Sequence, residues 1–412
     1  MIGARKANNY RAVITALILA VLAVAACVFS TGGKSASSSA LLGTVEKTEG
    51  GDVPDSVDDL LGELDLDSAQ ELLGMLDSDQ LAVFGFDSIA ERIRAVANGE
   101  FHSDFGSVVS YILAVLGANV FEFLPMLFSM LAIVLAYSLL NSVKGKYASE
   151  SIERVVYFAT GTLAITLVVG YFASVLAAAV KFIGSVKTQI SVVSPILITL
   201  MTAAGASSSA SVYTPSIAVL GSGMTSIITY IAFPALLMGL VFDVIGAVST
   251  GLRLGKTAEF FRSVCKWLLG TAFFLFIAVI GVSGITASVR DGISVRAARF
   301  AVSKYVPIIG GYLSQGFDFV MAGNVLIKNA VGQSAVIMIV LVVVPVVSKI
   351  VIFTLTLKLT AAIAEPLGGD RFCGVMTSVT KSSSLIATVA IAMTFLYILF
   401  LSMLILTGNV GL

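Results

Sequence analysis

Five ionisable side chains sit where so apolar a chain has least use for charge: Asp243, Asp318, Lys328, Lys349 and Lys358 lie in or beside long apolar runs. Exposure to lipid costs such a group a few kcal/mol, so each must pair, face a polar pathway, or snorkel to the interface along its own stem. Two readings are open. In one, the groups line a polar pathway or form an interhelical ion pair such as Asp318 with Lys328. In the other, the lysines snorkel and Asp318 lies at the interface.

Catalysis finds little to work with. An aspartate pair is formally available in Asp243 with Asp318 or Asp370, and close carboxylates can share a proton for hydrolysis. However, Gly368-Gly369-Asp370 lacks the Gly-x-Gly-Asp spacing of intramembrane aspartyl proteases, and Arg371 adjoins it. His102 is the sole histidine and lies outside the apolar runs, which sets aside a histidine-based serine hydrolase and any zinc site built on several imidazoles. Cys27, Cys265 and Cys373 are too scattered for a disulfide framework or a metal cluster. No phosphate loop is present; the stretch Gly251 to Thr257, GLRLGKT, is one residue short of that spacing, so any nucleotide-driven motor is a separate subunit. The residues therefore predict no enzyme, no catalytic or metal site and no cofactor.

The elements that position these groups are membrane spans. The chain has 412 residues, is 57% apolar and 12% charged, and has a mean hydropathy of +0.99, the profile of an all-α polytopic membrane protein. Apolar windows of about 20 residues, enough to cross about 30 Å of hydrocarbon, predict about six transmembrane helices after residue 108. They are centred on 121–140, 155–180, 217–249, 267–289, a run from 334, and 385–406.

Two stretches fit neither span nor loop. Lys304 to Gln333 mixes apolar runs with Pro307, Gly310, Gly311, Asp318, Lys328 and Asn329, and Ser194 to Ser216 follows Pro195 with a small-residue tract. Both are expected to be re-entrant or broken segments, tolerated at membrane depth only where protein or water satisfies the freed backbone. Pro307, Gly310, Gly311, Asp318, Lys328, Asn329, Pro195, Asp243 and Lys349 are the pathway or packing candidates. Leu254 to Lys266 and Arg290 to Lys304 have the spacing of amphipathic helices.

Net charge is zero but unevenly placed. Residues 31–107 carry 16 of the 25 acidic groups and only Lys34, Lys47, Arg92 and Arg94 as basic ones, a net −12, against +9 for residues 108–412. An acidic head precedes a basic membrane body, and such a head is no partner for nucleic acid. Arg5, Lys6 and Arg11 ahead of the apolar run Ala12 to Phe29 read as a signal peptide over residues 1–30, which puts the head outside the cytoplasm. Val24-Ala25-Ala26-Cys27 also fits a lipobox, with Cys27 as a lipidation or cleavage site, and an uncleaved anchor is the third option. Within 31–107, a polar linker leads to two short helices with capping boxes at Ser68/Glu71 and Ser88/Glu91. The tetrad Ser-[Ile/Val]-x-[Lys/Arg] at 151, 263 and 378 recurs after 112 and 115 residues, and predicts a parallel duplication of 151–262 and 263–377.

Lys304-Tyr305-Val306-Pro307-Ile308-Ile309-Gly310-Gly311-Tyr312-Leu313-Ser314, Phe317-Asp318 and Lys328-Asn329-Ala330-Val331-Gly332 resemble the stage III sporulation protein AE family of endospore-forming bacteria. Ser194 to Met201 and Gly251 to Glu259 resemble it too, so the likeness spans roughly residues 110–412 and the signal-like start. It implies a multi-span subunit in the mother-cell membrane around the forespore, a platform or channel-forming part of a secretion or feeding complex. The implied partners are the other stage III A proteins, among them a separate cytoplasmic ATPase and intermembrane ring proteins, with a forespore partner indirectly, membrane lipid, and an oligomer or complex context. The resemblance carries over no catalytic residue. A stand-alone secondary transporter of a small solute is the alternative that the repeat and the buried charges suggest.

Overall fold

The computed structural model describes residues 66–97, 105–142, 150–248, 254–305, 310–367 and 370–407, which are helical with no strand among them. Residues 1–65, with the signal-like start, the linker and Cys27, lie outside the described residues, as do His102 and Pro307.

Among the described residues three short helices come first: α1 (Leu66–Leu73), α2 (Ser78–Phe84) and α3 (Ile89–Ala97). Their apolar residues recur on one side, so that Leu72, Leu73, Phe84, Ile89 and Ile93 are all buried. The first expected capping box is displaced. Ser68 lies inside α1, whereas Asp77 and Gln80 make the box of α2, a helix the sequence reading omits, with the Asp77 N–H donating to Gln80 Oε1 at 2.9 Å. Ser88 does start α3, its carbonyl accepting the Arg92 N–H at 3.1 Å. Gly85 ends α2 at φ 80°, and its N–H closes on Leu81 O.

Five long helices and one interrupted helix follow. They are α4 (Phe105–Ser142), α5 (Glu150–Ala203), α6 (Ser207–Ala218) continued into α7 (Phe233–Val248), α8 (Gly255–Tyr305), α9 (Gly310–Ala364) and α10 (Asp370–Leu406). Between α6 and α7 the chain stays helical through π-helical Val219–Met224 and Ile228–Ala232, which flank one α-turn. Among the described residues six helical stretches are long and apolar enough to cross a membrane: Gly106–Leu140, Phe158–Ala203, Ser207–Gly246, Gly255–Gly281, Gly323–Leu367 and Phe372–Leu406. The expected six spans are present, and the chain is an all-α polytopic membrane protein.

Each of the two stretches expected to be re-entrant or broken is regular helix on either side of a break: residues 204–206 turn the chain in the first, and residues 306–309 of the second lie outside the described residues. Helix α5 runs on through Pro195 to Ala203, because Pro195 lies on an exposed face where the ring does not disturb packing. The chain then reverses in a Schellman turn, with Ala206 N–H on Met201 O and Gly205 N–H on Thr202 O, both 2.9 Å, and Gly205 at φ 86°. In the same way Gly310 to Gln333 is the start of α9, whose 55 residues are helical without interruption. Its glycines lower helix propensity by about 1 kcal/mol each, but the packed faces outweigh this. One of them has a steric reason: a Cβ on Gly332 would stand 2.4 Å from Ile405 of α10. The expected amphipathic segments Leu254 to Lys266 and Arg290 to Lys304 are likewise the two ends of the single 51-residue α8.

The result is two long hairpins, α5 with α6–α7 and α8 with α9, and the two stretches paired in the sequence are their tips. At about 1.5 Å per residue, α5, α8 and α9 are each close to 80 Å long, over twice the hydrocarbon thickness. The tip end is where α5 passes to α6 and where α8 ends and α9 begins; the base is where α4, α7 and α9 end and α5, α8 and α10 begin. Helices α9 and α10 form the centre. They pack most extensively on each other, and from Gly323 to Ile350 no residue of α9 is exposed. Small polar residues lie in their seam, with Thr354 Oγ1 3.0 Å from Ser383 Oγ.

Candidate functional site

Lys328, which the sequence singles out, is fully buried in α9. Its ammonium donates to the carbonyl of Thr407, at the C-terminal end of α10. The last carbonyls of a helix lack intrahelical donors and carry the negative end of its dipole, so a cation there satisfies both. Thr407 Oγ1 donates back to Met403 O at 2.7 Å and lies 3.2 Å from the Tyr213 hydroxyl. With its one proton spent on Met403, Thr407 accepts from Tyr213. Tyr213 belongs to α6 and packs edge-on against Phe400 at 6.4 Å. One lysine thus fastens α6, α9 and α10 together near the tip end.

The surrounding interior is polar. Asn324 is buried one turn from Lys328, and Asn329 Oδ1, Ser194 Oγ and Gln189 Oε1 are buried with no hydrogen-bond partner among the described residues. An unsatisfied buried polar atom costs about 1–3 kcal/mol. Phe172 of α5 meets Phe353 of α9, and that antiparallel register brings Gln189 and Ser194 to the level of α9 residues 331–336. Four candidates, Lys328, Asn329 and the segments holding Pro195 and Gly310–Gly311, thus fall in the tip half of the bundle. Asp318 and Lys328, offered as an interhelical pair, lie on the same helix. On one continuous helix the two are about 15 Å apart along the axis, too far for direct contact.

Asp243 is at the other end. Its carboxylate pairs with Arg262 across the hairpin of α7 and α8, both side chains being under a tenth exposed. Arg262 belongs to the face the sequence reading left in solvent; instead it is drawn in because Gly239 lets α8 approach. A Cβ on Gly239 would lie 3.2 Å from Ala258 O, and Phe242 stacks on Phe261 at 5.5 Å beside the pair. Lys349 is neither snorkelling nor lining a pathway alone. It pairs with Glu122 of α4 at 2.7 Å, next to Asn119 Nδ2 donating to Ser348 Oγ at 2.8 Å. Lys358 is exposed 6 residues before the base end of α9, where its stem can snorkel.

The short N-terminal helices are fixed by a gap in α9. Pro345 has no N–H, so the carbonyl of Leu341 four residues earlier is left open. Gln80 Nε2 donates to it at 2.9 Å and the Tyr111 hydroxyl at 3.2 Å, while Gln80 Nε2 also lies 3.1 Å from Tyr111. Gln70 ties α1 to α3 through Asp87 O and the Ile89 N–H. Arg92 lies over the Phe84 ring at 4.0 Å and donates to Phe84 O, and burial pushes its pKa down to about 10. Sequence inspection missed Gln80, Tyr111, Tyr213, Thr407, Glu122 and Arg262. The one readable signal was Pro345, which must free Leu341 O.

The buried ionisable groups fasten helix to helix, and no group of three or more metal-ligating side chains occurs among the described residues. Such a fold and site define a multi-pass helical membrane protein whose helices are fastened by buried polar groups along the bundle. The stage III sporulation protein AE family model matches residues 88–408, and the chain belongs to that family. It is 24% identical over 271 residues to stage III sporulation protein AE of Bacillus subtilis (strain 168), covering 66% of this chain and 68% of that protein. No solved structure matches. The family match begins at residue 88 and so takes in α3 with the bundle, earlier than the sequence-stretch likeness suggested.

Proposed function

We propose that the chain is a non-enzymatic platform or channel-forming membrane subunit of the sporulation complex that connects mother cell and forespore, needed for forespore development. The observation that carries this reading is the family match over residues 88–408, which takes in all six apolar helices. It sits in the mother-cell membrane around the forespore with its acidic N-terminal region extracytoplasmic. The basic residues Lys144, Lys146, Arg253 and Lys256 beside base-end connections support a cytoplasmic base. Its partners are the other stage III A proteins, including a separate ATPase and intermembrane rings. The two hairpins, related by duplication, present their tips to those partners, and Pro195, Gly310, Gly311, Asp318, Lys328 and Asn329 belong to the tip half.

Deleting the gene tests this: loss of late forespore gene expression and of heat-resistant spores is expected, and normal sporulation would refute it. Purified protein that moves a small solute into liposomes without any partner would instead make it a stand-alone secondary transporter.

A further inference from the structure

We infer that the bilayer covers only the base half of the bundle, with its tip-side headgroup layer at the level of Lys181 and Tyr230, and that the α5/α6 hairpin beyond them stands in water. Neither helix needs more than about 20 residues to cross, yet the apolar stretches Phe158–Ala203 and Ser207–Gly246 have 46 and 40 residues. Half of each is surplus, and the outward faces say which half. On the base side, large apolar side chains are exposed, Phe158 and Leu163 of α5 and Leu237, Met238, Val241 and Ile245 of α7, interspersed on α5 with Thr162, Thr166 and Ser174, a surface suited to lipid.

Beyond Val180 the exposed positions of α5 become Lys181, Gly184, Lys187, Ser191, Pro195, Thr199, Thr202 and Ala203, none of them a large apolar side chain. On the returning helix of the hairpin they are Ser207, Ser211, Thr214, Pro215, Ala218, Val219 and Ser222, with Val219 the one large apolar side chain before Tyr230 and Ile231. The switch occurs at one height on both helices. Ile190 faces Gly221, where a Cβ would meet it at 3.1 Å, and that antiparallel register sets Lys181 within about a turn of Tyr230.

Three further observations fall at the same level. Tyr230 is 76% exposed, as aromatic residues at a headgroup layer are. The Phe172–Phe353 register puts Lys181 beside α9 residue 344, between the Leu341 carbonyl that holds the N-terminal helices and the Lys349–Glu122 pair. Finally, Phe158 to Val180 and Tyr230 to Val248 rise about 33 and 27 Å, bracketing the hydrocarbon thickness. The acidic short helices then rest on the headgroup layer, held by Gln80 rather than by attraction to anionic lipid.

The full chain, with Cys27, Cys265 and Cys373 replaced, is purified into lipid nanodiscs carrying one nitroxide label at 163, 181, 184, 191, 222, 230 or 237. Power saturation with oxygen and with a water-soluble nickel chelate reads the depth of each. Labels at 163 and 237 are expected to be oxygen-accessible, those at 184, 191 and 222 to be at least severalfold more nickel-accessible, and those at 181 and 230 to lie between. Oxygen-dominated labels at 191 and 222 would overturn the assignment, since the bilayer would then reach the tip. Nickel access at 163 and 237, or no access to either reagent at 191, would overturn it equally.

Discussion

Gln80 reaches across 261 residues of sequence to donate to the carbonyl of Leu341, the one that Pro345 leaves without a helical donor. The proline opens a hydrogen-bonding position in the most buried helix, and the side chain that caps α2 fills it. Gln80→Leu should therefore release the short helices from the bundle, at a cost of about 1–2 kcal/mol, with Tyr111 still holding the carbonyl. Hydrogen exchange in α1–α3 should accelerate severalfold while α9 and α10 stay protected. Pro345→Ala restores the missing donor and should loosen the same contact from the other side.

Arg92 makes a different demand. Burial lowers its pKa to about 10, so the folded chain binds the proton less tightly than the unfolded one. The burial cost is fully present at neutral pH and is relieved only as pH rises through about 10 toward the ordinary arginine range, where stability from this group increases. Arg92→Met should keep α3 within about 1 kcal/mol of the native protein at pH 7, since it trades the buried charge for an apolar stem of similar reach. Arg92→Ala, which also empties the space over Phe84, should cost about 2–4 kcal/mol. Opening free energies from exchange of α3 amides decide between these outcomes.

Asp243 and Arg262 should behave as a unit. Asp243→Ala or Arg262→Ala leaves the other charge buried and should cost about 3–5 kcal/mol, whereas the double change to Leu should recover most of it. The melting temperature of the detergent-purified protein would show whether the double variant lies above both singles. Equal additive losses would mean that the pair is hydrated.

Lys328→Leu should lower the yield of heat-resistant spores at least tenfold with the protein still in the membrane fraction, and Asp318→Leu should do the same. Tyr213→Phe removes only the hydroxyl on Thr407 and should cost about 0.5–1.5 kcal/mol of stability, with a smaller effect on spores. Disappearance of the Lys328→Leu protein from membranes would assign that lysine to packing alone.

The spans were legible because lipid imposes a single rule, about 20 apolar residues each, and Phe121, Leu163, Leu237 and Leu385 all fall in windows that satisfy it. The tip halves were not. Glycine and proline at Gly310, Gly311 and Pro195 mark a local cost in helix propensity, and what offsets it is packing contributed by segments far away in the chain, such as Ile405 against Gly332. Partner choice was lost for the same reason. Asp243 and Arg262 are 19 residues apart and meet only because a hairpin folds between them, and Lys328 finds a carbonyl 79 residues on rather than the aspartate ten residues back. Thus hydrophobic length was readable from a window of sequence, and pairing across helices was not.

The helices of 54 and 51 residues that rise to the two tips also act as lever arms. Pivoted at the base, a rod of about 80 Å that tilts by about 5° carries its far end through about 7 Å. A rearrangement no larger than a side-chain rotamer change around Asp243 and Arg262 would thus be magnified to the width of a helix radius at the tip. Anything bound there would be moved by events on the other side of the membrane without any element having to unfold.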